Sequence, residues 1–234
     1  GSANSIACAN IMLNSAVAES LKLYADQLEE AEDFPAALQA VIRRTIQAHK
    51  RIIFNGNGYD QSWIREATQQ RGLLNCPTTP DCVPHLLDGK NVAMLTAHKV
   101  YTRAELVSRY EVTLENYCKT IVIEANTMVD MARTEILPAV QAFAGDIARA
   151  AAAKRELVPG CPCAYETGLV KKLSALTGQI AAQAEELERA TAELAGIEDI
   201  GRRAEAIRDS VLAKMSQLRL PCDEAETLTA KQYW

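Results

Sequence analysis

Aromatic side chains are scarce in this 234-residue chain, which has two Trp, seven Tyr and three Phe, and histidine is scarcer still at three. Packed helices with solvated faces accommodate that shortage. No uninterrupted apolar run approaches the roughly 18 residues of a membrane span, and no basic segment precedes an apolar one as in a secretory signal. Neither a membrane anchor nor export is expected. Lys and Arg number 25 against 30 Asp and Glu, for a net charge of -5, and they form no basic stripe. That excludes a nucleic-acid or anionic-membrane surface, which needs clustered cations. Seven cysteines (Cys8, Cys76, Cys82, Cys118, Cys161, Cys163 and Cys222) show no C-x-x-C spacing. An odd, scattered set reads as reduced cytosolic thiols rather than a disulfide framework. An initiator Met is also missing: Gly1-Ser2 reads as a protease-cleavage scar, and the chain from Ala3 reads as a piece of something longer. The length allows one large domain or two small ones.

What is present is helical periodicity. Thr102-Arg103-Ala104-Glu105 is a capping box. After it, Leu106, Tyr110, Leu114, Tyr117, Ile121, Ala125, Met128, Ala132, Ile136, Val140, Phe143, Ile147 and Ala150 recur at steps of three or four. The mean step, about 3.7, fits a straight helix better than the 3.5 of a coiled coil. The row predicts one helix of roughly 50 residues, about 75 Å long. Pro138 predicts a kink near Ile136 and Leu137. The Val158 to Cys163 stretch reads as a loop. A second long helix then carries an a/d seam of Leu173, Ile180, Leu187 and Leu194 with Leu169, Leu176, Gln183, Ala190 and Ile197. A change of phase predicts a tight turn near Gly196 to Asp199 and an antiparallel helix ending at about Leu220, with Pro221 stopping it. Asp223 with Glu226 is expected to cap a short final helix.

Toward the N-terminus, Met12, Ala16, Val17, Leu21, Tyr24 and Leu28 form one stripe. Leu38, Ile42 and Ile46 form another, after Asp33 as N-cap. Asn55-Gly56-Asn57-Gly58 predicts a tight turn. Asp60 is positioned to cap a helix through Trp63 and Ile64 that stops at Gly72, and Asp88 one from about Lys90 to His98. No stretch alternates long enough to demand a sheet.

The candidate chemistry is thin. The Asn55 to Gly58 loop lacks the Gly-Lys-Ser/Thr ending of a phosphate-binding loop and reads as a structural turn. Cys76, Cys82, His85 and His98 fit no zinc spacing and read as ordinary thiols and imidazoles. Cys161-Pro162-Cys163 is too tight for a relaxed disulfide. A di-iron bundle needs Glu-x-x-His, and none of His49, His85 or His98 has Glu three residues before it. Cys118 has no neighbouring His to activate it. Glu185, Glu186, Glu188 and Glu193 read as a solvated face. No catalytic, cofactor-binding or metal residue is assigned.

Several ordered motifs are distinctive. Arg51-Ile52-Ile53-Phe54-Asn55-Gly56-Asn57-Gly58-Tyr59 is followed by Trp63, by Gly72-Leu73-Leu74-Asn75 and by Thr78-Thr79-Pro80. Ser108-Arg109-Tyr110-Glu111 leads into Leu114-Glu115-Asn116-Tyr117-Cys118-Lys119-Thr120-Ile121 and Ile123-Glu124-Ala125, with Ile136-Leu137-Pro138-Ala139 beyond. Together these resemble the C-terminal region of type III glutamine synthetases, over essentially the whole chain. Ala3-Asn4-Ser5, Ala9-Asn10, Leu13-Asn14 and Val17-Ala18-Glu19-Ser20 resemble the last helix of that family's catalytic domain, although Cys8-Ala9 stands where Trp-Pro is usual. Tyr233-Trp234 resembles the point where members continue into a short tail.

The resemblance implies a bacterial, cytoplasmic parent that condenses glutamate with ammonia using ATP and Mg (or Mn), in glutamine biosynthesis. That parent would be a large homo-oligomer whose catalytic groups lie upstream of Ala3, so ATP and metal are expected outside this piece. Residues 3–32 are expected to end the catalytic domain and 33–234 to form the C-terminal helical domain. The expected fold is all-α: an elongated helical bundle with one roughly 50-residue helix, an antiparallel long-helix hairpin and several short helices. The expected role is non-catalytic and oligomer-shaping, with the catalytic domain of the same chain as partner. The alternative is a stand-alone helical interaction or sensor module.

Overall fold

The computed structural model describes residues 5–234. Gly1-Ser2, read above as a cleavage scar, and the motif residues Ala3 and Asn4 lie outside them. The described residues are helices and connecting loops with no strand, as expected. The chain divides into two compact units, Gly1–Tyr110 and Glu111–Trp234.

In the first unit, α1 (Ala7–Leu28) packs on α2 (Phe34–His49) and on α5 (Gly89–Ala97). Asp33 caps α2, accepting from the backbone N–H of Ala36 at 3.1 Å, and Pro35 in the first turn has its φ preset for helix. The short helices α3 (Gln61–Arg65) and α4 (Thr79–Cys82) lie between α2 and α5 in sequence. The core is Leu95, Tyr101 and Leu106, with Ile11, Met12, Leu87, Val92 and Met94 against it. Asp88 corrects the capping prediction. It holds the N-cap position of α5, but its carboxylate takes His85 Nδ1 at 2.9 Å instead of a helix N–H.

The stripes of α1 and α2 do not simply face inward. Ser15 and Val41 are the buried residues of these helices, whereas Val17, Leu21, Leu38, Ile42 and Ile46 are exposed. Helix α5 ends on Lys99 at φ 56°, a left-handed terminus, with the Val100 N–H bonded to the Leu95 carbonyl at 3.0 Å.

The long helix is present. Helix α6 (Arg103–Met131), a π turn at Ala132–Ile136 and α7 (Leu137–Leu157) form one run of 55 residues. Its predicted row is buried or half-buried from Leu106 through Ile147; Ala150 is exposed. Where Pro138 predicts a kink, the chain uses the π turn. The Leu137 N–H reaches back to the Ala132 carbonyl, so the register shifts by one residue without ending the helix.

In the second unit α7, α8 (Ala164–Glu193) and α10 (Leu212–Leu228) pack as neighbours, α8 contacting both others. The α8 seam faces inward: Leu173, Leu176, Ile180, Leu187, Ala190 and Leu194 are buried. The turn falls at Leu194–Gly196, and Asp199 caps α9 (Ile200–Ala206) by accepting from the Arg202 N–H at 2.8 Å. A π turn, Ile207–Val211, joins α9 to α10. Pro221 does not stop this helix, and no separate final helix starts at Asp223. Helix α10 runs through it to Leu228 with Pro221 buried. An interior proline costs about 3 kcal/mol. Burial of Leu218, Cys222 and Ala225 on both sides of Pro221 offsets that cost, because ending the helix would expose the far half of this face.

Candidate functional site

The most organised exposed feature is the loop between α2 and α3. Phe54 stacks on Trp63 with ring centroids 3.7 Å apart and planes 14° from parallel, and the Arg71 guanidinium lies 4.9 Å from the Trp63 centroid. The same guanidinium donates to the backbone carbonyls of Arg51 at 3.1 Å and Ile53 at 2.8 Å, and to the Glu66 carboxylate at 2.6 and 2.8 Å. Gly56 sits beneath the Phe54 ring, where a Cβ would come within 2.7 Å of Phe54 Cζ. Asn57 Oδ1 accepts from the Tyr59 N–H at 3.1 Å, and Asp60 caps α3 through the Ser62 N–H at 2.7 Å. Hydrogen bonds from the Ser62 side chain and backbone N–H hold the Asp60 carboxyl below its ordinary range. Gly72, at φ 63°, closes the segment in the left-handed region. The outcome is a braced loop that presents Tyr59 at 94% exposure.

The chain does turn here, but the hydrogen-bonded turn runs from Asn57 to Asp60, two residues later than the Asn55–Gly58 prediction, and without positive φ at any of Asn55 to Gly58. Asp60 caps α3 as predicted. Arg71 escaped sequence reasoning, since its carbonyl partners lie 18 and 20 residues away and no local pattern marks them.

The cysteine and histidine candidates go to separate partners. His85 pairs with Asp88, and His98 Nε2 lies 2.6 Å from Glu19 Oε2, tying α5 to α1. Cys76 is half-buried and Cys82 exposed, and among the described residues no group of three His, Cys, Asp or Glu is arranged to hold a metal ion. Cys161 is half-buried, while Cys163 is buried and its thiol contacts the Ala151 carbonyl at 3.7 Å. Burial pushes the Cys118 thiol up.

The glutamates of α8 do more than meet solvent. Glu188 takes both guanidinium nitrogens of Arg133 at 2.9 and 2.6 Å, and Glu186 takes Lys214 Nζ at 3.0 Å. These bonds hold both carboxyls below their ordinary range. Glu185 and Glu193 are exposed. Lys154 of α7 pairs with Glu166 of α8, Lys172 of α8 with Glu224 of α10 at 2.7 Å, and the Tyr233 hydroxyl donates to the Asp146 carboxylate beside Phe143. In this unit ion pairs tie α8 to both neighbours. Among the described residues no helix is long and apolar enough to cross a membrane.

These features define an all-α domain whose polar side chains cap helices and bridge them. The chain belongs to the glutamine synthetase C-terminal domain family, whose model matches residues 37–155. It is 35% identical over 202 residues to "Glutamine synthetase" of Butyrivibrio fibrisolvens, covering 86% of this chain but 29% of that protein. It is 36% identical over 141 residues to "Type-3 glutamine synthetase" of Dictyostelium discoideum, covering 59% of this chain and 19% of the relative. Against "Glutamine synthetase" of Bacteroides fragilis (strain YCH46) the identity is 34% over 142 residues, with the same coverages of 59% and 19%. The chain thus spans less than a third of the length of these relatives.

Proposed function

We propose that this chain is the C-terminal helical domain of a type III glutamine synthetase, a cytoplasmic enzyme that makes glutamine from glutamate, ammonia and ATP. ATP and its Mg (or Mn) bind the upstream catalytic domain. Residues 3–32 end that domain, and 33–234 form a non-catalytic appendage that helps shape a homo-oligomer. The observation that carries the reading is the coverage: similarity extends over 86% of this chain yet occupies 29% of an enzyme named glutamine synthetase. The use of the polar side chains supports a structural role. Arg133 with Glu188, Lys214 with Glu186 and Thr102 with Glu105 serve as interhelical bridges and caps.

The test pairs this chain with the full-length polypeptide, assayed for glutamine from ATP, glutamate and ammonia in the presence of Mg or Mn. Full-length protein turns over and the 234-residue chain does not. Metal-dependent turnover by the short chain overturns the non-catalytic assignment. A reading frame that starts near Ala3 removes the enzyme reading altogether and leaves a stand-alone interaction module. Deletion of residues 33–234 changes the number of subunits per particle, read as the sedimentation mass divided by the mass of the shortened chain; an unchanged subunit number removes the oligomer-shaping role.

A further inference from the structure

Helix α2 carries two rows of side chains at i±4 spacing, of which the second is wholly apolar. Ala37, Val41 and Thr45 form one, with Val41 buried, and α2 packs on α1. Phe34, Leu38, Ile42 and Ile46 form the second, one residue further round the helix and between 37% and 53% exposed. An amphipathic helix needs one stripe toward its own core. The second is a four-membered ridge at i±4 spacing, the arrangement that interdigitates with the same ridge of another helix. Helix α1 repeats the arrangement: Val17 and Leu21, four residues apart, are both exposed. Gln39, Arg43 and Gln47 flank Ile42 and Ile46 and make a polar border to the row.

We propose that the Phe34–Leu38–Ile42–Ile46 ridge of α2 is the docking face for an apolar helix of the upstream portion of the same polypeptide. This deepens the reading above and rests on it. The length of the relatives argues for that occupant over a second copy. The matched region is 29% of the Butyrivibrio protein, and its family is described as C-terminal, so most of such a polypeptide lies before it. A covalently joined partner meets the face at an effective concentration of order millimolar, ahead of a free second copy. Ile6, the N-cap of α1, is exposed as well.

Hydroxyl-radical footprinting read by mass spectrometry tests this on the full-length polypeptide beside the 234-residue chain. Oxidation of Phe34, Leu38, Ile42 and Ile46 is expected to be about fivefold slower or more in the longer protein, because the centre of such an interface is desolvated. Ile42→Glu in the full-length polypeptide restores Phe34, Leu38 and Ile46 to the rates of the short chain. Ile123→Glu, on an exposed position of α6, leaves them protected. Equal rates in both proteins overturn the proposal. Protection in the short chain that grows with concentration also overturns it, in favour of a second copy. Glutamine formation is read on the same full-length sample. An active enzyme with an unprotected ridge defeats this inference alone, and an inactive protein with a protected ridge defeats the enzymatic reading alone.

Discussion

Thr102 and Glu105 cap the start of the long helix reciprocally: the Glu105 N–H donates to Thr102 Oγ1 at 3.2 Å, and the Thr102 N–H donates to Glu105 Oε2 at 2.7 Å. The bond from the Thr102 backbone, with that from its hydroxyl, holds the Glu105 carboxyl below its ordinary 4.5. A carboxyl depressed in the fold contributes stability that is fully present above the unfolded value and lost as pH falls through the folded one. The first turn of α6 is therefore expected to lose amide protection, measured by hydrogen exchange and corrected for intrinsic rate, as pH drops below about 4.5. Glu105→Gln keeps an acceptor at the site and removes the pH dependence; an unchanged profile in that variant rejects the capping account.

Leu187 and Gln183 occupy one seam of α8 with opposite energetics. Leu187 is fully buried, and Leu187→Ala is expected to lower stability by about 2–5 kcal/mol, since the cavity adds to the lost transfer energy. Gln183 Oε1 is buried with no hydrogen-bond partner among the described residues. Gln183→Met keeps the volume and removes that acceptor, so it is expected to raise stability by about 1 kcal/mol. Urea unfolding of both variants checks the pair. A destabilised Gln183→Met would show that the amide contributes more than it costs.

Such seams are what the sequence states most plainly. The row from Leu106 to Ile147 and the α8 heptads are long enough that periodicity alone gives helix, length and inward face. The hairpin turn was legible because the phase change coincides with Gly196 and Asp199. On α2 periodicity picked the stripe of Leu38, Ile42 and Ile46, whereas the buried residue is Val41, one position before Ile42, because the packing of α1 and not the pattern decides which side turns inward. Pro221 misled because a local cost was weighed without the burial of Leu218, Cys222 and Ala225 around it. Asp88 misled because capping competes with a side-chain partner, His85, three residues away. The loop brace was invisible because Arg71 acts on carbonyls distant in sequence.

The seven thiols divide by burial. Cys118, Cys163 and Cys222 are buried, Cys76 and Cys161 half-buried, and Cys8 and Cys82 exposed. Burial pushes the Cys222 thiol up to about 11, with the Asp223 carboxylate adding to it. Reaction with a disulfide reagent at pH 8 is expected to proceed at Cys8 and Cys82 first and to reach Cys118, Cys163 and Cys222 only on unfolding. For Cys222 the folded state keeps the proton that the unfolded chain releases near 9, so this contribution to stability shrinks as pH rises from about 9 to 11. Rapid labelling of Cys222 in the native chain would contradict the packing of α10.

Gly56 and Arg71 brace the exposed loop from two sides. Gly56→Ala would bring a methyl against the Phe54 ring, which has little room to yield because it is stacked on Trp63 at 3.7 Å. Arg71→Lys keeps the charge but loses the fork that reaches two carbonyls and Glu66 together. Both variants are expected to leave the helical circular dichroism unchanged while speeding protease cleavage between Asn55 and Tyr59. Local opening of the segment now costs less, and cleavage follows the open population when reclosing is fast. Arg71→Lys should act most strongly on the Arg51 to Ile53 side, where its carbonyl partners lie, and Gly56→Ala at the tip. Cleavage as slow as in the parent chain for both would mean that the loop is held by something other than the Phe54, Trp63 and Arg71 stack.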